Sequence, residues 1–446
     1  MEYSKLPLEL KQDKIPYKLY HRSSGVSLSK RGLFRSRLFF FLITVAACAF
    51  SGAILLYFRR NIAEEIVIKT FADAGSVQGP VECPIPTKPP FNLSDPSYNS
   101  KLYEANEAFK LGSLDLDDYY NELVEFMPSQ EKNIRHFLKP ERSIGVSLKN
   151  ENTKHQIPRY IWQTGKESAD KVTGKDALAR MRTWMDQAQA SFYDNDKNKW
   201  DDGWKYSRLT DNEVREMWPQ NLDILLEAAA YRSVIMSDSW RLLALALKGG
   251  VYSDTDTELL KPITRWWTDT EFGVCDPDYT EPSLIVAVER VTLFNRSPWY
   301  QRDARPLQIT QWAFAAAEGH PVMVDALRRV TRNVENYVAE HSFTSLSSLF
   351  PAKLLRLSGP GPFTDAVLRY LAIKHGIHWW DLLNMGSKTT TKAIQLGETL
   401  VLPRLAFNPR DMLSRKKMDM HQSVCLDHSF AGSWRQNQRV TKPFGI

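Results

Sequence analysis

The chain has 446 residues but only four cysteines and nine histidines, and its charge is unbalanced only near the N-terminus. Each scarcity excludes something. Cys48 lies inside a long apolar run, and the other three thiols, Cys83, Cys275 and Cys425, cannot all pair within one molecule, so the chain is not a disulfide scaffold. Cys275 with Cys425 is the pairing open to the main body, while Cys83 could pair between chains or stay a thiol. No Cys or His spacing fits structural zinc. Residues 1–37 hold nine of the 58 Lys and Arg and three of the 52 Asp and Glu, so the rest of the chain carries 49 of each sign. A balanced body gives no footing for a nucleic-acid partner.

Long hydrophobic runs are equally scarce. Leu38–Phe58 is uncharged and 21 residues long, with Arg35 and Arg37 before it and Arg59 and Arg60 after it, and no comparable run follows. That length crosses a bilayer as a helix, and the basic tail ahead of it should stay cytosolic. A buried core helix or a cleaved signal peptide are the other readings. A signal peptide would begin nearer the terminus and be shorter. The expected layout is therefore a cytosolic tail at 1–37, a transmembrane signal-anchor at 38–58, a stem at 59–150 and a catalytic domain at 151–446, in a single-pass type II protein. Gly79–Pro96 contains Pro80, Pro84, Pro86, Pro89, Pro90 and Pro96, which favours an extended linker. Asn92-Leu93-Ser94 within it fits an N-glycan acceptor; Asn295-Arg296-Ser297 fits the pattern too, but Pro298 follows. Residues 100–138 read as a helix or two lying against the catalytic domain.

From Ile157 onward strands and helices alternate. Arg159–Trp162 reads as a strand, Ala177–Ser191 as a helix, Tyr206–Leu209, Val251-Tyr252 and Ser283–Glu289 as further strands, which indicates an α/β domain around a mostly parallel sheet. Ser233–Leu247 has the spacing of an amphipathic helix, stopped by Gly249-Gly250. Asp238 and Arg241, three apart, share a face of it, either as a plain ion pair or as a grip for sugar hydroxyls.

The most informative stretch follows at once: Gly249-Gly250-Val251-Tyr252-Ser253-Asp254-Thr255-Asp256. In an extended segment, side chains two positions apart leave on the same face, so Asp254 and Asp256 can converge on one divalent cation. Magnesium and manganese favour carboxylates completed by substrate phosphates. An isolated Asp-x-Asp also reads as a solvated acidic turn, and the adjacency argues against the paired carboxylates of glycoside hydrolysis. Glu318-Gly319-His320-Pro321 reads as one helix ending and another beginning, with Pro321 in the first turn. The Trp266-Trp267 and Trp379-Trp380 pairs read as core packing, with a sugar-binding groove as the alternative.

Ser237-Asp238-x-x-Arg241 followed by the Gly249–Asp256 block resembles glycosyltransferase family 32, which includes fungal initiation-specific α-1,6-mannosyltransferases. Ile157–Gly165 is similar to that family's first strand and turn, Ser358–Thr364 to its glycine-proline loop ahead of a helix, and His428–Trp434 to the mannosyltransferase tail. The resemblance spans about residues 155–435. It implies a GT-A-type nucleotide-sugar-binding domain and a retaining, metal-dependent transfer of mannose from GDP-mannose, in α-1,6 linkage, to N-linked glycans in the Golgi. It further implies Mn2+ or Mg2+ held by Asp254, Asp256 and His428, donor contacts from Trp162, Asp238, Arg241, Asp254, Ser433 and Trp434, and possible membership of a Golgi glycosyltransferase complex. Another sugar donor, a glycolipid acceptor, or a non-catalytic subunit of a mannan-polymerising complex are the alternatives.

Overall fold

A computed structural model describes residues 100–139, 156–189, 193–194, 199–200, 203–268, 281–292, 298–387, 390–410 and 412–430. Leu38–Phe58, the proline-rich stretch with Cys83 and Asn92, Cys275, Asn295 and the Ser433-Trp434 pair lie outside these residues. Among the described residues no helix is long and apolar enough to cross a membrane.

Three helices come first: α1 (Ser100–Ala108), α2 (Leu116–Phe126) and α3 (Glu131–Leu138). Asp115 caps α2 by accepting from the N–H groups of Asp117 and Asp118, which would otherwise be unpaired at the helix start. Then follow β1 (Tyr160–Gly165), α4 (Lys175–Gln189), β2 (Lys205–Thr210), α5 (Asp223–Tyr231), α6 (Val234–Lys248), β3 (Gly250–Ser253) and β4 (Thr257–Leu259). The second half contributes β5 (Leu284–Val291), β6 (Leu307–Ile309), β7 (Ala313–Ala316), α7 (Pro321–His341), α8 (Pro360–His375), β8 (Ile394–Leu396), β9 (Thr399–Leu402) and β10 (Leu426–His428).

The main sheet has eight strands in the order β8-β9-β5-β7-β3-β1-β2, with β6 paired to β5 off that path. It is mixed, not mostly parallel as the alternation of elements suggested. β1 pairs in parallel with β2 and β3, and β5 with β9, but β7 runs antiparallel to both β3 and β5. β6, itself antiparallel to β5, runs on through Thr310-Gln311-Trp312 into β7, which continues in the same direction along β5. Because β7 is inserted antiparallel between them, β3 and β5 point the same way as β1. Their carboxyl ends therefore share one edge with the residues that lead into β7.

Both faces of the sheet are covered. Along β5, Leu284, Val286 and Val288 pack into the larger core with α6, α7 and α8, while Ile285 and Ala287 face the smaller core with Trp184 of α4, Leu259 and Leu426. This explains why Leu284–Val288 is continuously apolar: with period-two alternation each face needs its own hydrophobic set. Tyr119, Leu123 and Ile134 of the N-terminal helices belong to the same larger core as Leu242 and Leu327. Glu122 on α2 reaches Arg328 on α7 at 2.7 Å and the fully buried Arg369 on α8 at 2.8 Å.

Two local expectations change. Pro360 opens α8, so only Ser358 and Gly359 precede the helix where a longer glycine-proline loop was expected; a proline in a first turn loses no hydrogen bond that a helix would make. Glu318–Pro321 follows the strand β7 and not a helix, and His320 caps α7 by accepting from the Val322 N–H. Burial pushes the His320 pKa down to about 3, which keeps it neutral as that acceptor requires. Trp266 and Trp379 are buried in the core, with Trp267 and Trp380 packed partly against it.

The turn from α6 into β3 depends on two glycines with positive φ, +62° at Gly249 and +109° at Gly250. A Cβ on Gly250 would sit 2.6 Å from the Tyr160 carbonyl oxygen on the adjacent strand, and one on Gly249 would sit 2.6 Å from the Glu318 backbone nitrogen. Neither backbone atom can swing away. Gly250→Ala is expected to lower unfolding stability by ~2 kcal/mol or more in denaturant titration, from strain plus clash.

Candidate active site

Asp254 and Asp256 lie where β3 ends and a turn begins, at the shared carboxyl edge of the sheet. The turn, and not the alternation of a strand, makes them converge. The Asp254 carbonyl accepts from both the N–H and the hydroxyl of Thr257, at 3.2 and 2.6 Å, which closes the bend. A third group comes from the far end of the chain. β10 pairs antiparallel with β4, setting His428 opposite Thr257, and the Ser429 N–H donates to the Asp256 carbonyl at 2.9 Å. His428 Nε2 thereby stands 2.9 Å from Asp256 Oδ1. One ligand atom from each of Asp254, Asp256 and His428 lies within 4.8 Å of the others.

The imidazole is held by aromatic packing. The Trp312 and Phe430 rings lie tilted against the His428 ring with centroids 4.3 and 4.0 Å away. The strand that carries it is anchored next door: Asp427, 1% exposed, takes a two-pronged bond from Arg410 at 2.6 and 2.8 Å. Two partly exposed carboxylates and a buried imidazole, close together, fit a hard divalent cation that leaves positions open for substrate oxygen. His428 Nδ1 is buried without a partner, so in place of the outer hydrogen bond that usually orients a metal-binding histidine the ring is held by packing against Trp312 and Phe430.

Behind this cluster stands one guanidinium. Arg241 on α6 pairs with Asp238 at 3.3 Å and with Asp254 at 3.2 Å, both through Nη2. Its Nε donates to the Ser237 carbonyl and its Nη1 to the Gln311 carbonyl. It lies 5.0 Å from the centre of the Tyr252 ring, and the Tyr252 hydroxyl donates to Asp254 at 2.8 Å. Asp238 in turn accepts from the Ser358 hydroxyl at 2.8 Å, and Gln311 donates to the Ser358 carbonyl. Asp238 and Arg241, read from the sequence as a grip for sugar, are each 6% exposed and occupied with one another and with Asp254. In this arrangement they orient the carboxylate instead of presenting free hydrogen-bond groups.

Burial pushes Asp254 above the usual carboxylate range, against the pull of Arg241. It pushes Asp238 up to about 6, with Arg241 and Ser358 only partly opposing it. Trp162 sits on β1 beside Tyr252, half-buried, with its indole N–H donating to the Gly249 carbonyl at 2.9 Å. Ser433 and Trp434 lie outside the described residues.

Several neighbours escaped the sequence reading. Tyr252 and Ser358 stand inside the Gly249–Asp256 and Ser358–Thr364 blocks with no role read for either, and Gln311 and Trp312 stand in no spacing that signals them. Glu289 is another: it occupies a bulge in β5 at the site edge, accepts from Gln308 at 2.7 Å, and is close enough to His428 for their charges to interact. Its burial raises its pKa. Bulges near sites re-aim a side chain, and this one shows only in the pairing of the strands.

A carboxyl whose folded pKa is raised to about 6 holds a proton that the unfolded chain has already lost, so its contribution to stability falls as pH rises between roughly 4 and 6. Measured without metal, the stability of the wild type relative to Asp238→Asn should drop by on the order of 2–3 kcal/mol across that window. A flat difference would contradict the burial assigned to Asp238.

Residues 179–273 match the family model described as the glycosyltransferase sugar-binding region containing the DXD motif. An initiation-specific alpha-1,6-mannosyltransferase of Candida albicans is 26% identical over 371 residues, covering 78% of this chain and 90% of its own. A second, of Schizosaccharomyces pombe, is 28% identical over 287 residues, covering 63% and 64%. Among solved structures, the PaToxG glycosyltransferase aligns with 58% of this chain and 82% of its own at 15% identity, with a TM-score of 0.29 that is too low to argue fold from. The matched region carries Asp238, Arg241 and both aspartates of the cluster, and the chain is a glycosyltransferase similar to these alpha-1,6-mannosyltransferases.

Proposed function

We propose that this enzyme transfers mannose from GDP-mannose, with retention, in α-1,6 linkage to N-linked glycans. In this reading it works in the Golgi lumen as a type II protein anchored by Leu38–Phe58, with a GT-A-type domain as its catalytic body. The observation that carries the chemistry is the convergence of Asp254, Asp256 and His428 in front of the buried Asp238–Arg241 pair. The names of the related mannosyltransferases support the sugar and linkage. The uncharged 21-residue run between arginines supports the anchor.

Manganese, or magnesium, would be held by Asp254, Asp256 and His428, where it supplies Lewis-acid stabilisation for charge collecting on the leaving diphosphate. The residues of the chain do the rest. Arg241 and the Tyr252 hydroxyl aim Asp254 and oppose the rise in its pKa, so the carboxylate stays available as a ligand. Trp312 and Phe430 fix the plane of His428. Trp162 would offer its exposed face to the guanine, and Ser433 and Trp434 would close over the diphosphate. As the bond from the anomeric carbon to the phosphate oxygen breaks, its electron pair leaves with GDP. The acceptor hydroxyl attacks from the same side, and its proton passes to the departing phosphate. This route needs no covalent enzyme nucleophile.

The test uses the full-length chain in detergent with manganese, a panel of nucleotide sugars and a high-mannose N-glycan. Mannose transfer from GDP-mannose is expected, with an α-1,6 product, and Asp256→Ala should lower it by on the order of 100-fold or more. Preference for another donor would overturn the substrate assignment, and full activity in Asp256→Ala would overturn the role given to the aspartates.

A further inference from the structure

A second cavity, of about 410 Å3, opens away from this site, and none of Asp238, Arg241, Asp254, Asp256 or His428 lines it. Its wall is unusually cationic: Lys110, Arg305, Arg329 and Arg356 face it with a single acid, Asp365. Two of the four are neutralised. Arg305 makes a two-pronged bond to Asp365 at 2.7 and 2.5 Å, and Arg329 bonds Asp325 at 2.9 Å. Asp325 is at the same time taken by Arg328 at 2.7 Å, so it has little charge to spare.

Arg356 is different. Among the described residues no carboxylate pairs with it; it lies over the Trp299 ring, 5.8 Å from the centroid, and donates to the Tyr300 carbonyl. Asn333 holds its segment in place by donating to the carbonyls of Arg356 and Leu357. Arg356 Nε and Trp299 Nε1 are both buried donors without an acceptor. Burial, and after it the neighbouring Arg305, lowers the Arg356 pKa, as expected for a charge with no counter-charge nearby. Lys110 likewise has only the Glu107 carbonyl. The wall is thus short of acceptors and of negative charge. A guanidinium and an ammonium left in this state suit a phosphate, whose oxygens supply both. Tyr300, 49% exposed, also lines the cavity and offers an aromatic face to a ring attached to that phosphate. The volume is within the range of small-ligand sites.

We propose that this cavity is a binding site for a phosphorylated sugar, with the phosphate held by Arg356 and Lys110 and the sugar ring against Tyr300. The ring class follows from the chain's being a glycosyltransferase, and the choice of mannose as the ring to test rests on the donor proposed above, whereas the phosphate part does not.

The experiment is calorimetric titration of the full-length chain with mannose 6-phosphate, mannose and inorganic phosphate. Mannose 6-phosphate is expected to bind more tightly than either fragment. Arg356→Gln should weaken it by roughly tenfold or more. Tyr300→Ala should weaken the sugar phosphate several-fold and leave inorganic phosphate unchanged. Asp256→Ala, which disables the other site, should change nothing. If Arg356→Gln fails to melt cooperatively, Lys110→Gln on the exposed side reads the same charge. No binding, or binding unaffected by both charge substitutions, would overturn the site. Inorganic phosphate binding as tightly as mannose 6-phosphate would overturn the sugar part, and loss of binding in Asp256→Ala would place the ligand in the donor site instead.

Discussion

The arrangement of the site depends on a buried cation. Arg241 stands on a helix with 6% of its surface exposed, and a guanidinium out of water is tolerable only if its donors and charge are met. Asp238, Asp254 and two backbone carbonyls meet them. The same contacts fix Asp254, so the side chain that neutralises the cation is also the one that faces substrate. Compensation is incomplete at Asp238, where burial outweighs the pull of Arg241 and the Ser358 hydroxyl. Removing Arg241 would leave the buried Asp238 and the partly exposed Asp254 facing each other, a heavier penalty than the loss of the ion pairs alone.

Sheet geometry determines where that pair can act. With β7 inserted antiparallel, the carboxyl ends of β1, β3 and β5 and the approach to β7 meet at one edge. Gln311 and Trp312 arrive there beside Asp254, whose N–H donates to the Trp312 carbonyl at 2.8 Å. Ligands of open α/β sheets bind beyond strand carboxyl ends for this reason: loops converge where strands stop, and backbone groups are left to be satisfied. His428 reaches the edge on a separate two-stranded ribbon, tied down by Arg410 and by Arg415, which bridges Asp427 and Glu258.

The N-terminal helices are part of the same body. Glu122 on α2 bonds Arg369, which is completely buried, and Arg328, while Asp325 joins both arginine neighbourhoods. A charged network this deep holds α2, α7 and α8 in one relation, because breaking any member strands another in low dielectric.

Much of the site was legible locally. Helix α6 was read as Ser233–Leu247 and spans Val234–Lys248, because an apolar stripe and a glycine pair are signals carried within a few residues. The aspartate pair was legible for the same reason, although the turn that makes it converge was not. Ser358, Gln311 and Glu289 left no mark that periodicity could find. The sequence by itself determined the helix periods, their caps and stops, the glycines that permit the α6–β3 turn, and the residue types able to hold a cation. Only the tertiary structure decided that Arg241 serves Asp254, that His428 closes on Asp256 across 172 residues, and that the sheet is mixed. The reason is physical: local patterns are set by sterics and hydrogen bonds within a turn or a strand, while these pairings depend on which distant segments pack together and on the burial that packing imposes.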